Sequence, residues 1–250
     1  PPCPVTPETD PGPVDEMRDF VSSPSGRLLA VLADDGSIQV RDTTRLEASD
    51  GPIFTEAAPE PVAPYGLGSF RGIAFRSDDH LVTVRAAADA DAKMERAFRL
   101  RVWDISKPAA DGPESEREFT GIYASLTADG EWVVIFLDAR SLVAHSTSQV
   151  GTSQTAETGL DGATSQATHR SVVAIGYWGS SVTIFNATTG ALHSVEAHDY
   201  VSALPHLYPL VISPTGNTLA TSYANEVRLW DISSREMVGI PLPQPGWPSA

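Results

Sequence analysis

Hydrophobic and polar residues alternate along most of this chain in short runs, and each run stops at a cluster of Gly, Asp, Asn or Ser. Such runs of four to eight residues, rich in β-branched and aromatic side chains and separated by turn residues, predict strand after strand from Met17 onward. The segment Arg27–Asp42 is a strand, a tight turn and a second strand, and the segment Asn217–Asp231 repeats it. Each is introduced by a turn of the same kind, Ser23-Pro-Ser-Gly26 or Ser213-Pro-Thr-Gly216. Only the alanine-rich stretch Ala86–Phe98 reads as a short helix.

Superposing the repeated phrase gives five copies. The first has strands at Leu28–Ala33 and Ser37–Arg41, with an outer strand near Ile53 and Phe54. The second begins at Gly72–Phe75, turns at Ser77–Asp79, continues through Leu81–Arg85 and closes with Arg99–Asp104. The third runs from Tyr123 through Ala128–Gly130 to Trp132–Leu137 and Ser141–His145. The fourth uses Ser171–Tyr177 and Ser181–Asn186, and the fifth runs from Leu210 to Asp231 with an outer strand near Met237–Ile240. Self-similarity at a period of about 40–45 residues is the signature of a propeller blade.

The residues that punctuate these copies carry a family likeness. Over roughly residues 17–243 the chain resembles the WD-repeat (WD40-like) proteins, with Trp103-Asp104 and Trp230-Asp231 where that family has its signature dipeptide. Asp35-Gly36 and Asn186–Gly190 match its turns. Elsewhere the pattern has decayed. Arg41, Ala144 and Phe185 take the tryptophan position, and His145 and Asn186 take that of the aspartate. The turn aspartate stands at Asp35 and Asp138, with Gly179 and Asn225 in its place elsewhere. The best partial version of the family's buried Asp-His-Ser/Thr-Trp set is His198, Thr221 or Ser222, Asn225 and Trp230. The resemblance implies an all-β, WD40-like β-propeller with five recognisable four-stranded blades. They form either a closed five-blade ring or an arc of a larger one, the family's usual ring having seven.

Charge narrows the partner. Seventeen basic residues stand against 32 acidic ones, a net charge of -15, which disfavours nucleic acid and anionic lipid. Only Lys93 and Lys107 are lysines, a bias that fits a GC-rich bacterial genome. The single cysteine, Cys3, lies in a proline-rich segment and is consistent with a reducing compartment, so a cytoplasmic location is expected. Residues 1–16 read as a proline-rich tether to an upstream domain, residues 17–243 as the repeats, and residues 244–250 as a tail.

Catalytic motifs are poor. The chain has no Gly-x-Ser-x-Gly, no phosphate-cradling Gly-x-x-x-x-Gly-Lys and no His-Glu-x-x-His. Glu114–Glu118 reads as a wet acidic turn, and Asn186-Ala-Thr188 as a structural turn rather than a glycosylation acceptor. No catalytic residue, metal ligand or cofactor is assigned. The expected function is a protein-interaction module, with another protein or a second domain of the parent chain as partner. The rivals are a central-channel propeller enzyme of glycosidase or lactonase type and a purely structural assembly piece. Loops held by a rigid scaffold carry binding, so the expected face gathers Lys93, Met94, Arg96 and Phe98 from one insertion and Tyr200 and Tyr208 from another. Trp178 and Tyr223 join them from turn positions.

Overall fold

The computed structural model describes residues 17–33, 37–45, 51–57, 72–86, 96–138, 140–158, 163–177, 181–197, 208–223 and 226–243. They form five four-stranded antiparallel sheets, each built from strands consecutive in the chain. Sheet 1 holds β1 (Met17–Ser22), β2 (Leu28–Ala33), β3 (Ile38–Asp42) and β4 (Phe54–Glu56). Sheet 2 holds β5 (Ile73–Phe75), β6 (His80–Ala86), β7 (Arg96–Asp104) and β8 (Ser115–Gly121). Sheet 3 holds β9 (Tyr123–Leu126), β10 (Trp132–Phe136), β11 (Ser141–Ser146) and β12 (Ser153–Glu157). Sheet 4 holds β13 (Ala163–His169), β14 (Val172–Tyr177), β15 (Ser181–Asn186) and β16 (Leu192–Glu196). Sheet 5 holds β17 (Tyr208–Ile212), β18 (Thr218–Tyr223), β19 (Glu226–Asp231) and β20 (Leu242–Pro243). The helical content of the described residues is one short 3-10 turn, Ala109–Asp111.

Two recurrent turns set the spacing of these sheets. Between the first and second strands a Ser or Thr hydroxyl accepts the N–H of a residue five positions on. Ser23 takes that of Leu28 at 3.2 Å, Thr127 that of Trp132 at 3.1 Å and Ser213 that of Thr218 at 3.1 Å. Such local bonds satisfy a donor that a bare turn would leave open. Three of these turns end in a left-handed glycine. Gly130 (φ 65°) also lies so close to sheet 2 that a Cβ would stand 3.0 Å from the Arg76 nitrogen. After the third strand, Asp42, Asp104, Asn186 and Asp231 each accept the backbone N–H of the residue two positions on, at 2.9, 3.1, 3.0 and 2.9 Å. The repeated unit at this corner is therefore Asp/Asn-x-Ser/Thr, and Asn186-Ala-Thr188 is one instance of it.

The sheets pack face to face in series. One apolar cluster joins sheets 1 and 2 through Ile38, Val40, Phe54, Phe75, Leu81 and Trp103. A second joins sheets 2 and 3 through Val82, Leu100, Val102, Val133, Ile135 and Val143. A third joins 3 and 4 through Val134, Leu142, Ala144, Val173, Ile175 and Phe185, and a fourth joins 4 and 5 through Ala174, Ile184, Leu210, Leu219 and Trp230. Fully burying side chains of this size stabilises by about 1.5–3 kcal/mol each, so these interfaces dominate the fold's stability. Among the described residues no such cluster joins sheet 5 to sheet 1. Each inner sheet thus has two faces. The leading face, which carries Trp103 in sheet 2 and Phe185 in sheet 4, packs on the preceding sheet, and the trailing face packs on the following one.

The observed register corrects part of the sequence-based alignment. Leu81 pairs with Trp103, Val173 with Phe185 and Leu219 with Trp230, so the matching partner of Val133 is His145. Hence His145, not Ala144, holds the tryptophan position in sheet 3, and Ser146 takes that of the aspartate. His145 stacks on Phe119 of sheet 2 with ring centroids 4.5 Å apart. Ala144, fully buried, faces the other way into the cluster with sheet 4. Glu114–Glu118 is not a turn either, since most of it is strand β8. In sheet 5 the outer strand is Leu242–Pro243, with Met237 making one isolated bridge to Trp230.

Candidate functional site

Antiparallel order gives every sheet two ends. One carries the turns between first and second strands and the Asp/Asn corners; we term it the turn end. The other, the hairpin end, carries the second-to-third connections and the joints between sheets. The described members of the predicted recognition face, Arg96, Phe98, Tyr208 and Tyr223, lie in strands toward the hairpin end. Lys93, Met94, Trp178 and Tyr200 lie outside the described residues, as do His198 and Asn225. Arg96, Tyr208 and Tyr223 are described as strand backbone, opening β7, opening β17 and closing β18. Phe98 requires a correction. It is not part of a surface helix but a residue of β7, paired with Ala86 and Phe119. At 8% exposure it belongs to the cluster between sheets 2 and 3. The alternation Phe98-x-Leu100-x-Val102 places it there, because every second residue of a strand shares a face.

Toward the hairpin end, the described residues assemble a charged rim between sheets 1 and 2. Arg99, Arg101 and Trp103 lie on one face of β7, and Glu116 and Glu118 face them from β8. Arg101 donates to Glu116 at 2.7 Å and to Glu56, near the end of sheet 1's outer strand, at 3.0 Å. Arg85 stands 3.2 Å from the second Glu56 oxygen. Glu56 is only 4% exposed. Burial disfavours the Arg101 cation, yet the bonds from Glu116 and Glu56 outweigh that and hold its pKa above the ordinary arginine value. Its guanidinium also lies 5.8 Å from the centre of the Trp103 ring, within reach of a cation–π contact.

The rim therefore has an inner and an outer part. Glu56 between two arginines is a buried, structural ion set. Arg99 is different. It is 40% exposed and paired with Glu116 at 3.3 Å and Glu118 at 3.8 Å. Exposed pairs of that kind hold about 0–1 kcal/mol, so a partner's charges can exchange with them at little cost. The signal for this rim was present in the sequence as Arg99-x-Arg101-x-Trp103, but its carboxylate partners lay in a segment read as a turn.

A second arginine repeats the geometry. Arg228 stands two residues before Trp230 as Arg101 stands two before Trp103, and it donates to the Ala197 carbonyl of sheet 4 at 3.2 Å. Beneath each arginine the indole donates to a buried threonine, Trp103 to Thr83 at 3.2 Å and Trp230 to Thr221 at 3.0 Å. Of the pair Thr221 or Ser222 left open by the sequence, the hydrogen bond selects Thr221. The same diad in sheet 2 went unread, although Leu81-x-Thr83 and Leu219-x-Thr221 are the same phrase.

No three acidic, histidine or cysteine side chains among the described residues converge on a point where a metal could sit. No helix among them is long and apolar enough to cross a membrane. No protein-family model matches the chain. No curated protein matches it either.

Proposed function

We propose that the chain is a non-catalytic interaction module, built as five blades of a WD-type β-propeller. It presents its hairpin end to another protein, or to a second domain of its parent. One observation carries this reading. The five sheets share one strand order and pack in series through four apolar clusters, an arrangement that favours recognition by one end of a rigid scaffold. The exposed outer part of the Arg99, Glu116 and Glu118 rim lies toward that end, and the buried Glu56 set fixes it in place. The Trp103–Thr83 and Trp230–Thr221 bonds, and the Asp/Asn corners after the third strands, support the propeller assignment.

The test is site-specific photo-crosslinking in the native host. A crosslinking residue replaces Arg99 at the rim or, as the control, Arg27 at the turn end, whose side chain is 70% exposed. The rim position is expected to capture a discrete protein partner that the control does not. Equal capture at the two ends, or capture at the control alone, would refute the assignment of this face.

A further inference from the structure

The outermost strand of a sheet carries a row of backbone donors and acceptors along its free edge. The five sheets guard that edge unequally. Outer strand β4 has three residues, β12 and β16 have five each, and β20 has two, one of them Pro243. Strand β8 has seven, Ser115–Gly121, none of them proline, and among the described residues it pairs with β7 alone. Ser115, Glu116, Glu118 and Thr120 are exposed. Sheet 2 is itself packed on both faces, by sheet 1 and by sheet 3. Its edge is thus outermost because of strand order within the sheet.

Successive residues give this edge two different sides. Toward sheet 3, Arg117 donates to the Ser146 carbonyl and lies 5.7 Å from the centre of the Phe119 ring, on which His145 stacks. Those contacts hold β8 in position, so a strand that joins it meets an edge already ordered. Toward sheet 1, Glu116 and Glu118 stand outermost, their side chains 42% and 59% exposed. Arg99 and Arg101 lie one strand further in, on β7. A strand laid against β8 therefore has the two carboxylates as its nearest cross-strand neighbours, about 4.5–5.5 Å away, with the arginines a further strand spacing beyond.

We infer that β8 is a docking edge for an extended segment of a partner protein, which adds to sheet 2 as a further strand. The segment carries Lys or Arg at alternate positions, on the side of Glu116 and Glu118, and β-branched residues between them, on the side of Phe119. Main-chain hydrogen bonds supply the affinity and the alternate side chains the selection. A second copy of β8 is a poor occupant, since it sets carboxylate against carboxylate between molecules of net charge -15. The exposed pairs of Arg99 with Glu116 and Glu118 exchange for the incoming cations at little cost. This rests on the reading of the chain as an interaction module and adds the chemistry of the segment recognised at the rim.

The probe is a labelled peptide of seven residues, the length of β8, in which Lys and Val alternate. Fluorescence anisotropy with the whole chain measures its binding, and hydrogen exchange locates it. Two companion peptides separate the causes: one of the same composition with its lysines in a single block, and one N-methylated throughout. The alternating peptide is expected to bind saturably and to slow exchange at Ser115–Gly121. Its affinity is expected to fall about two- to five-fold with Glu118→Gln and by as much again when Glu116→Gln is added. Both positions are exposed, and circular dichroism confirms that the variants fold. The block and N-methylated peptides are expected to bind far more weakly. A companion that binds as well as the alternating peptide, protection that misses β8, or affinity indifferent to both substitutions overturns the inference. So does an alternating peptide that fails to bind, and a partner still captured at Arg99 would then leave the interaction module standing without this edge.

Discussion

Glu56 ties sheet 1 to sheet 2, and its removal gives the sharpest test of how the stack holds together. The carboxylate is 4% exposed, with Arg101 at 3.0 Å and Arg85 at 3.2 Å. Deleting one partner of a buried ion set strands the others in a poorly solvated site and costs about 3–5 kcal/mol. Arg101 keeps Glu116 at 2.7 Å and is itself 27% exposed, which brings Glu56→Ala to the lower end, about 3 kcal/mol. Part of that cost is the stranded arginine, so it should shrink in an Arg101→Ala background, giving a coupling energy of at least about 1 kcal/mol. Urea denaturation followed by circular dichroism measures the four stabilities. Sheets that contact only their neighbours lose stability locally. Hydrogen exchange should therefore rise in sheets 1 and 2 before it rises in sheet 5. Additive single effects, or a Glu56→Ala cost under about 0.5 kcal/mol, would refute the reasoning.

Two further outcomes follow from the recurrent bonds. Trp103→Phe removes the donor to Thr83, a fully buried hydroxyl, and should cost about 1–3 kcal/mol plus lost packing. Adding Thr83→Ile reproduces the Ile175 and Phe185 pair of sheet 4 and should recover part of that cost by thermal melt; no recovery would show that the hydrogen bond is not the cause. Asp42 is lowered to about 2 by the Thr44 hydroxyl and N–H, and Asp104 to about 2 by Lys107 and Ser106. Because the folded values lie below the ordinary 3.8, these groups stabilise fully above it and lose that contribution as pH falls toward about 2. Asp42→Asn with Asp104→Asn should flatten the fall in melting temperature across that window; an unchanged slope counts against the corner bonds.

The strands were legible in the sequence where apolar residues run together between turn residues, as in Leu28–Ala33 and Trp132–Phe136. They were hidden where the pattern is polar. The outer strands β8, β12 and β16 have much of their surface in water, so Glu116, Glu118 and Ser153 occupy positions that packing does not constrain. The one-residue error in sheet 3 has a related origin. With neither Trp nor Asp present, Ala144-His145 was aligned by spacing alone. Much of the recognition face was assigned to connecting segments whose residues lie outside those described. The rim of Arg99 and Arg101 is visible only once Glu56, distant in sequence, is brought beside them.

That contrast explains how the signature can decay while the architecture persists. The Trp–Thr bond of sheets 2 and 5 is replaced in sheet 4 by Phe185 on Ile175, and in sheet 3 by His145 stacked on Phe119. A net hydrogen bond contributes only about 1 kcal/mol, so an apolar pair of similar volume replaces it at little cost. A column that must be dry on both sides has no such freedom, and Val40, Val102, Ala144 and Ile184 are all small or medium apolar residues. The Trp-Asp dipeptide is thus the dispensable part of the repeat, and the apolar columns are the part each sheet keeps to stack on the next.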